Sequence, residues 1–235
     1  MESVMYMANV ITAANLLFGV ISIFLSVMGK YVPAAWIIFF SIAFDIADGK
    51  IARMGTESSE FGRQFDSLAD LVSFIVAPAI LILALRRPEF FLWRLLVCLI
   101  AVFCGAFRLA RFNTESEEKR HLFFVGLPSP AFGAMCASLV LILYRYNLHV
   151  EPRIISIFVA LLAMMMVSRV QYPTFKNVPL LQRKYVIGFM VVLILTLIVP
   201  EISAFIVSAL YVVLMPIKAI LMKGAEDETI SRIAD

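Results

Sequence analysis

Residues 32–50 read VPAAWIIFFSIAFDIADGK. From Val32 to Phe44 the segment is apolar and aromatic, relieved only by Ser41, and it then runs into Asp45, Asp48 and Gly49. A helix that crosses a bilayer needs about 20 mostly apolar residues. This stretch has that length, and it carries two acids at its end. The remainder of the chain decides between a buried core helix and a membrane span. Of 235 residues, 62% are hydrophobic and 16% charged, and the mean hydropathy is +0.95. Soluble domains have roughly 45–50% apolar and about 25% charged residues. Such a composition excludes a soluble globule, a disordered chain and a nucleic-acid-binding domain. An enzyme remains open, and the scarce charges show where to look for it.

Working outward, apolar runs fall at about 8–28, 32–50, 68–86, 91–112, 128–147, 154–170, 185–200 and 202–222. Pro33, Pro88, Pro128, Pro152 and Pro200 lie near run ends, where helices tolerate proline. The expected fold is all-α: a polytopic membrane bundle of about eight helices forming one domain over 1–222, with a short polar tail at 223–235. The first run follows Glu2 rather than a basic segment, so it reads as a retained span and not a cleaved leader. Cys98, Cys104 and Cys136 sit in apolar runs at no metal or redox spacing, and read as packing residues. With the N-terminus cytoplasmic, 14 basic residues fall inside and 6 outside (Lys30, Arg86, Arg87, Arg94, Arg145 and Arg153). Positive charge favours the cytoplasmic side. That count places both termini, and the loop after residue 50, in the cytoplasm of a plasma-membrane protein. A net charge of +3 implies no nucleic-acid partner.

The acids are clustered. Asp45, Asp48, Gly49, Ala52 and Arg53 are followed by eight residues and Gly62, then by Asp66 and Asp70 at intervals of four. At roughly 100° per residue, Asp45, Asp48, Gly49 and Ala52 share one helical face. Asp66 and Asp70, at i and i+4, share another. Four carboxylates at one membrane edge would repel each other and be costly to desolvate unless cations sit among them. Oxygen-only donors suit hard ions such as Mg²⁺ or Mn²⁺, and four negative charges match two such ions. Gly49 and Ala52 let a bulky ligand approach the backbone, and Arg53 is placed to meet a phosphate.

The string D-x2-D-G-x2-A-R-x8-G-x3-D-x3-D resembles the signature of the CDP-alcohol phosphotransferases, and Asp45, Asp48, Gly49, Ala52, Arg53, Gly62, Asp66 and Asp70 meet every position of it. The resemblance covers about residues 8 to 200. It implies an integral membrane enzyme that moves a phosphatidyl-type group from a CDP-linked lipid to an alcohol and releases CMP. It implies that Asp45, Asp48, Asp66 and Asp70 hold two divalent cations, with Asp70 also the general base. Asp48, Gly49, Ala52, Arg53 and Gly62 would face the CDP-lipid, joined by Ser59 in the loop. Asn9, Thr12 and Asn15 near the start of the first span are candidates for the nucleotide. Homodimers are the family's habit.

The acceptor alcohol is read from a second set of residues. Phe107-Arg108-Leu-Ala-Arg111-Phe-Asn113 ends the fourth run, and Gly126-Leu-Pro128-Ser129-Pro130 opens the fifth. Both strings resemble the serine-using branch of the family, from bacteria and archaea. This implies CDP-diacylglycerol and L-serine as substrates, with Arg108, Arg111, Asn113, Ser129 and Arg169 around the serine. Arginine is a good bidentate partner for the serine carboxylate. Sibling acceptors, glycerol 3-phosphate and inositol phosphate, also need arginines and stay open. A cation-coupled carrier is the alternative of a different class. It would be expected to show inverted repeats and acids at mid-membrane, and no repeat is visible here.

Overall fold

The computed structural model describes residues 2–52, 60–85, 91–114, 123–173 and 201–213. Helix α1 spans Glu2–Val27 and α2 spans Tyr31–Ala52. The turn between them is short because Gly29 takes φ 77°, a left-handed conformation that costs glycine little. The amide of Gly29 then donates to Ser26 O, and that of Lys30 to Leu25 O at 2.8 Å, closing the end of α1. Pro33 lies in the first turn of α2, where no intrahelical donor is lost. Side-chain hydroxyls fasten the hairpin: Ser22 Oγ donates to Ala34 O at 2.9 Å and Ser41 Oγ to Asn15 O at 3.1 Å.

The third helical element is continuous from Glu60 to Ala84 but changes character. Helix α3 (Glu60–Leu71) leads into a wide π turn at Val72–Val76, and α4 follows at Ala77–Ala84. Pro78 explains the turn. It has no N–H to donate to the carbonyl four residues back, and its ring crowds that carbonyl. The chain relaxes by inserting a residue, so the Ala77 amide bonds to Val72 O, five residues earlier. Pro78 lies inside an apolar run, not at its end. It is the local signal for this break, and the hydropathy pattern passes over it.

Helix α5 runs Phe91–Thr114, α6 Ser129–Arg145, α7 Pro152–Val167 and α8 Glu201–Val213. Two three-residue strands, β1 (Phe123–Val125) and β2 (Gln171–Pro173), pair antiparallel with Phe124 opposite Tyr172. The protein is thus helical, apart from this one short ladder among the described residues. Its core is built from Ile38 of α2, Phe74 and Ile75 of the π turn, Leu81 of α4, Phe132 and Val140 of α6, and Met166 of α7, all fully buried. Large apolar side chains such as Leu17, Phe24, Leu92 and Phe103 are more than half exposed, as expected of helices that face lipid.

Among the described residues, three helical segments are long and apolar enough to cross a membrane: Asn9–Val27, Glu60–Ala84 and Phe91–Thr114. Tyr31–Ile46, Ser129–Arg145, Pro152–Val167 and Glu201–Val213 are apolar and shorter. These segments correspond to seven of the expected runs. The run at 185–200, the end of the last run beyond 213 and the tail at 223–235 lie outside the described residues. The largest boundary difference is at the third run, expected from 68 and observed from Glu60. Its first turns carry Glu60, Arg63, Gln64 and Asp66, so hydropathy detects only the later, lipid-compatible part.

Candidate active site

Three carboxylates gather at one end of the bundle. Asp45 lies near the end of α2, and Asp66 and Asp70 lie one turn apart on α3. Carboxylate oxygens of these three residues all fall within 4.8 Å of one another. The two helices reach this end from different parts of the chain, as the spacing of the aspartates predicts. Asp48, Gly49 and Ala52 belong to the α2 helix by backbone, but their side chains lie outside the described residues, as do Arg53 and Ser59 entirely. Gly62 sits in the first turn of α3.

Asp70 is the most elaborately held of the three. Ser129 Oγ, at the start of α6, donates to Asp70 Oδ2 at 3.2 Å. Behind it, Arg108 Nη1 on α5 donates to Ser129 Oγ at 3.3 Å. Ser129 and Arg108 are 1% and 5% exposed, so this relay is shielded from bulk water. The second oxygen, Asp70 Oδ1, is buried and has no hydrogen-bond partner among the described residues. A buried carboxylate oxygen of that kind is costly unless something binds it. Its neighbours are the carboxylates of Asp45 and Asp66, which offer only oxygen donors. A hard divalent cation fits this set of donors.

The remaining expected acceptor residues divide into two groups. Asn113 stands beside the cluster: its Nδ2 donates to Ser67 Oγ at 2.9 Å, and its backbone oxygen accepts from Arg63 Nη1 at 3.3 Å. Those bonds fix the end of α5 against α3. Arg111 lies one turn beyond Arg108 and takes different partners. Its Nη2 donates to Val125 O at 2.8 Å and to Ser168 O at 3.5 Å, and its Nη1 donates to Val167 O at 3.2 Å. Arg111 therefore caps the end of α7 and ties it to β1. Gly126 makes this approach possible with φ 80°, its amide donating to Val170 O at 2.8 Å. Arg169, expected near the acceptor, is exposed between α7 and β2.

Thr12 and Asn15 of α1 are 3% and 1% exposed. The carbonyl oxygen of Asn15 accepts from Ser41 Oγ and also from Ser73 Oγ, the latter at 2.9 Å, and the Asn15 amide oxygen meets Ser41 Oγ. Asn15 Nδ2 is buried without a hydrogen-bond partner among the described residues. Asn9 is half-buried near the start of the helix. Sequence reasoning singles out none of Ser41, Ser67, Ser73 and Arg63 for the site, though Ser67, Ser73 and Arg63 flank the aspartates. The usable signal is their position: serines inside or beside otherwise apolar helices bond to backbone or to a polar partner.

Comparison with known proteins bears on this arrangement. Residues 5–171 match the CDP-alcohol phosphatidyltransferase family. The chain is 35% identical over 173 residues to a CDP-diacylglycerol–serine O-phosphatidyltransferase of Helicobacter pylori, covering 72% of this chain and 73% of that one. It is 33% identical over 172 residues to the protein of the same name from Bacillus subtilis, covering 73% and 92%. It is 32% identical over 167 residues to an archaetidylserine synthase of Methanothermobacter thermautotrophicus, covering 70% and 68%. The match spans α1 to β2, every element that builds the aspartate cluster. The apolar helices and the signature agree with it, and the chain belongs to the CDP-alcohol phosphatidyltransferase family of membrane phosphotransferases.

Proposed function

We propose that the protein transfers the phosphatidyl group of CDP-diacylglycerol to the hydroxyl of L-serine, giving phosphatidylserine and CMP. The observation that carries the reading is the convergence of Asp45, Asp66 and Asp70 with the Arg108–Ser129–Asp70 relay. The relatives named for serine transfer support the choice of acceptor. Asp45, Asp48, Asp66 and Asp70 would hold two divalent cations, Mg²⁺ or Mn²⁺. Such ions, when bound, neutralise the diphosphate and draw charge from the reacting phosphorus.

The chain's own residues supply the rest. Asp70 takes the proton of the serine hydroxyl as that oxygen bonds to the lipid-side phosphorus. The bond from this phosphorus to the CMP oxygen breaks, and CMP leaves. Ser129 orients the Asp70 carboxylate by occupying Oδ2. Arg108 and Asn113 face the acceptor, with Arg108 the partner for a carboxylate. Arg111 acts through the backbone, holding the chain at Val125, ahead of Ser129, against the end of α7. Gly49, Ala52, Arg53, Ser59 and Gly62, with Thr12 and Asn15, serve the CDP-lipid. About eight spans with both termini and the site cytoplasmic complete the reading, in keeping with the 14-to-6 distribution of basic residues. Pairing of two copies rests on the family resemblance alone.

Purified protein in detergent, given CDP-dioleoylglycerol, Mn²⁺ and labelled serine, is expected to release CMP and form a labelled lipid in equal amounts. Chelation with EDTA should stop both. Preferential labelling from glycerol 3-phosphate or inositol phosphate would overturn the serine assignment and leave the family chemistry standing. A cation flux without CMP release would overturn the transferase reading.

A further inference from the structure

The π turn at Val72–Val76 begins two residues after Asp70, and its three central residues each meet a glycine from a different helix. A methyl group on Gly19 of α1 would run into the side chain and Cα of Ser73. One on Gly133 of α6 would lie 3.2 Å from Phe74 O and 3.3 Å from Phe74 Cα. One on Gly105 of α5 would run into Cδ1, Cγ2 and Cγ1 of Ile75. Ser73, Phe74 and Ile75 are fully buried. Ser73 Oγ further donates to Asn15 O of α1 at 2.9 Å. The widened turn is thus gripped on three sides where no side chain intervenes.

The grip has a geometrical purpose. One inserted residue rotates everything beyond it by roughly 100° relative to an uninterrupted helix. The same helical element must present Asp66 and Asp70 to Asp45 and also bury Ala77, Ala79, Leu81 and Ile82 in the core. The π turn sets the angle between those two faces. We infer that Gly19, Gly105 and Gly133 are positioning residues, which fix the π turn and through it the rotation and height of Asp70 against Asp45. The inference rests on the proposed role of the aspartates in holding a divalent cation.

Two measurements test it on the full-length protein in detergent: Mn²⁺ binding, followed by loss of the free-ion paramagnetic resonance signal, and steady-state kinetics. Gly19→Ala presses on Ser73 Cα as well as on its side chain, and no rotamer change can relieve the backbone collision. It should weaken Mn²⁺ binding about fivefold and lower kcat about tenfold, with KM for the CDP-lipid little changed. Gly105→Ala presses on the Ile75 side chain, whose Cδ1, Cγ2 and Cγ1 are the nearest atoms to the new methyl. Its smaller defect should be restored by adding Ile75→Ala, which removes all three colliding atoms. A folded Gly19→Ala protein with unchanged Mn²⁺ binding and kcat would overturn the inference alone. If Gly19→Ala does not fold, the Gly105 pair decides, and a defect that Ile75→Ala leaves unrepaired is the overturning result. Absence of Mn²⁺ binding in the unsubstituted protein would overturn the aspartate reading beneath it.

Discussion

Both ends of α5 bury an arginine, and the two ends use it differently. Arg94 and Arg108 are each 5% exposed. Near the beginning of the helix, Arg94 Nη1 donates to Leu85 O at 2.7 Å, just beyond the end of α4. Near the other end, Arg108 donates to a serine that in turn donates to Asp70. Burial of a charge is costly in either place and must be met by hydrogen bonds. The difference lies in what the bonded partner does next. A carbonyl at a helix end is a terminus to be capped. A hydroxyl on a carboxylate is a link to the proposed base. In this molecule one buried charge closes a helix end, and the other leads through a serine to a carboxylate of the proposed site.

Three substitutions can break or sharpen that contrast. The largest effect is expected from Asp70→Asn, which keeps the shape and removes the base: kcat should fall about 10³-fold, with nucleotide-lipid binding retained. Near-normal turnover would sink the base assignment. Next comes Arg108→Met, which removes a charge-assisted donor behind Ser129. A loss of about 10- to 100-fold in kcat/KM for serine is expected, so the rate deficit is largest when serine is limiting. An effect confined to thermal stability would make Arg108 a second Arg94. The smallest catalytic effect belongs to Arg94→Met. It should lower the unfolding temperature, at a cost of about 2 kcal/mol, while kcat of the folded fraction stays within about twofold of its starting value. A specific loss of turnover there would erase the contrast between the two ends.

The carboxylate end of this contrast is legible in the sequence, and the rest is obscure for identifiable reasons. Asp45, Asp66 and Asp70 stand out because an apolar chain carries four aspartates at fixed intervals only at a steep desolvation cost, which divalent cations would offset. Arg108 reads as a residue in need of an anionic partner, and it reaches Asp70 through Ser129, across 21 positions of sequence. Arg111 carries the same surface signal, a cation in an apolar helix, yet its partners are the carbonyls of Val125, Val167 and Ser168. Backbone acceptors leave no trace in a side-chain string, so sequence alone does not separate the two arginines. The polar first turns of α3 lengthen a helix that hydropathy cuts short. The strands at 123–125 and 171–173 are too brief to show an alternating pattern. The π turn is signalled only by Pro78, whose effect depends on how neighbouring helices accommodate the extra residue.

The β1–β2 ladder joins the approach to α6 to the exit of α7, while the two helices are also joined at their far ends by the turn through Asn147. The segment is therefore a ring closed twice, once covalently and once by hydrogen bonds. Each closure raises the effective concentration of the other, because ends already tethered have little freedom left to lose. Three-residue strands would be negligible partners in free solution. Here they act as a latch on a frame already nearly shut, and the frame carries Ser129 on its rim.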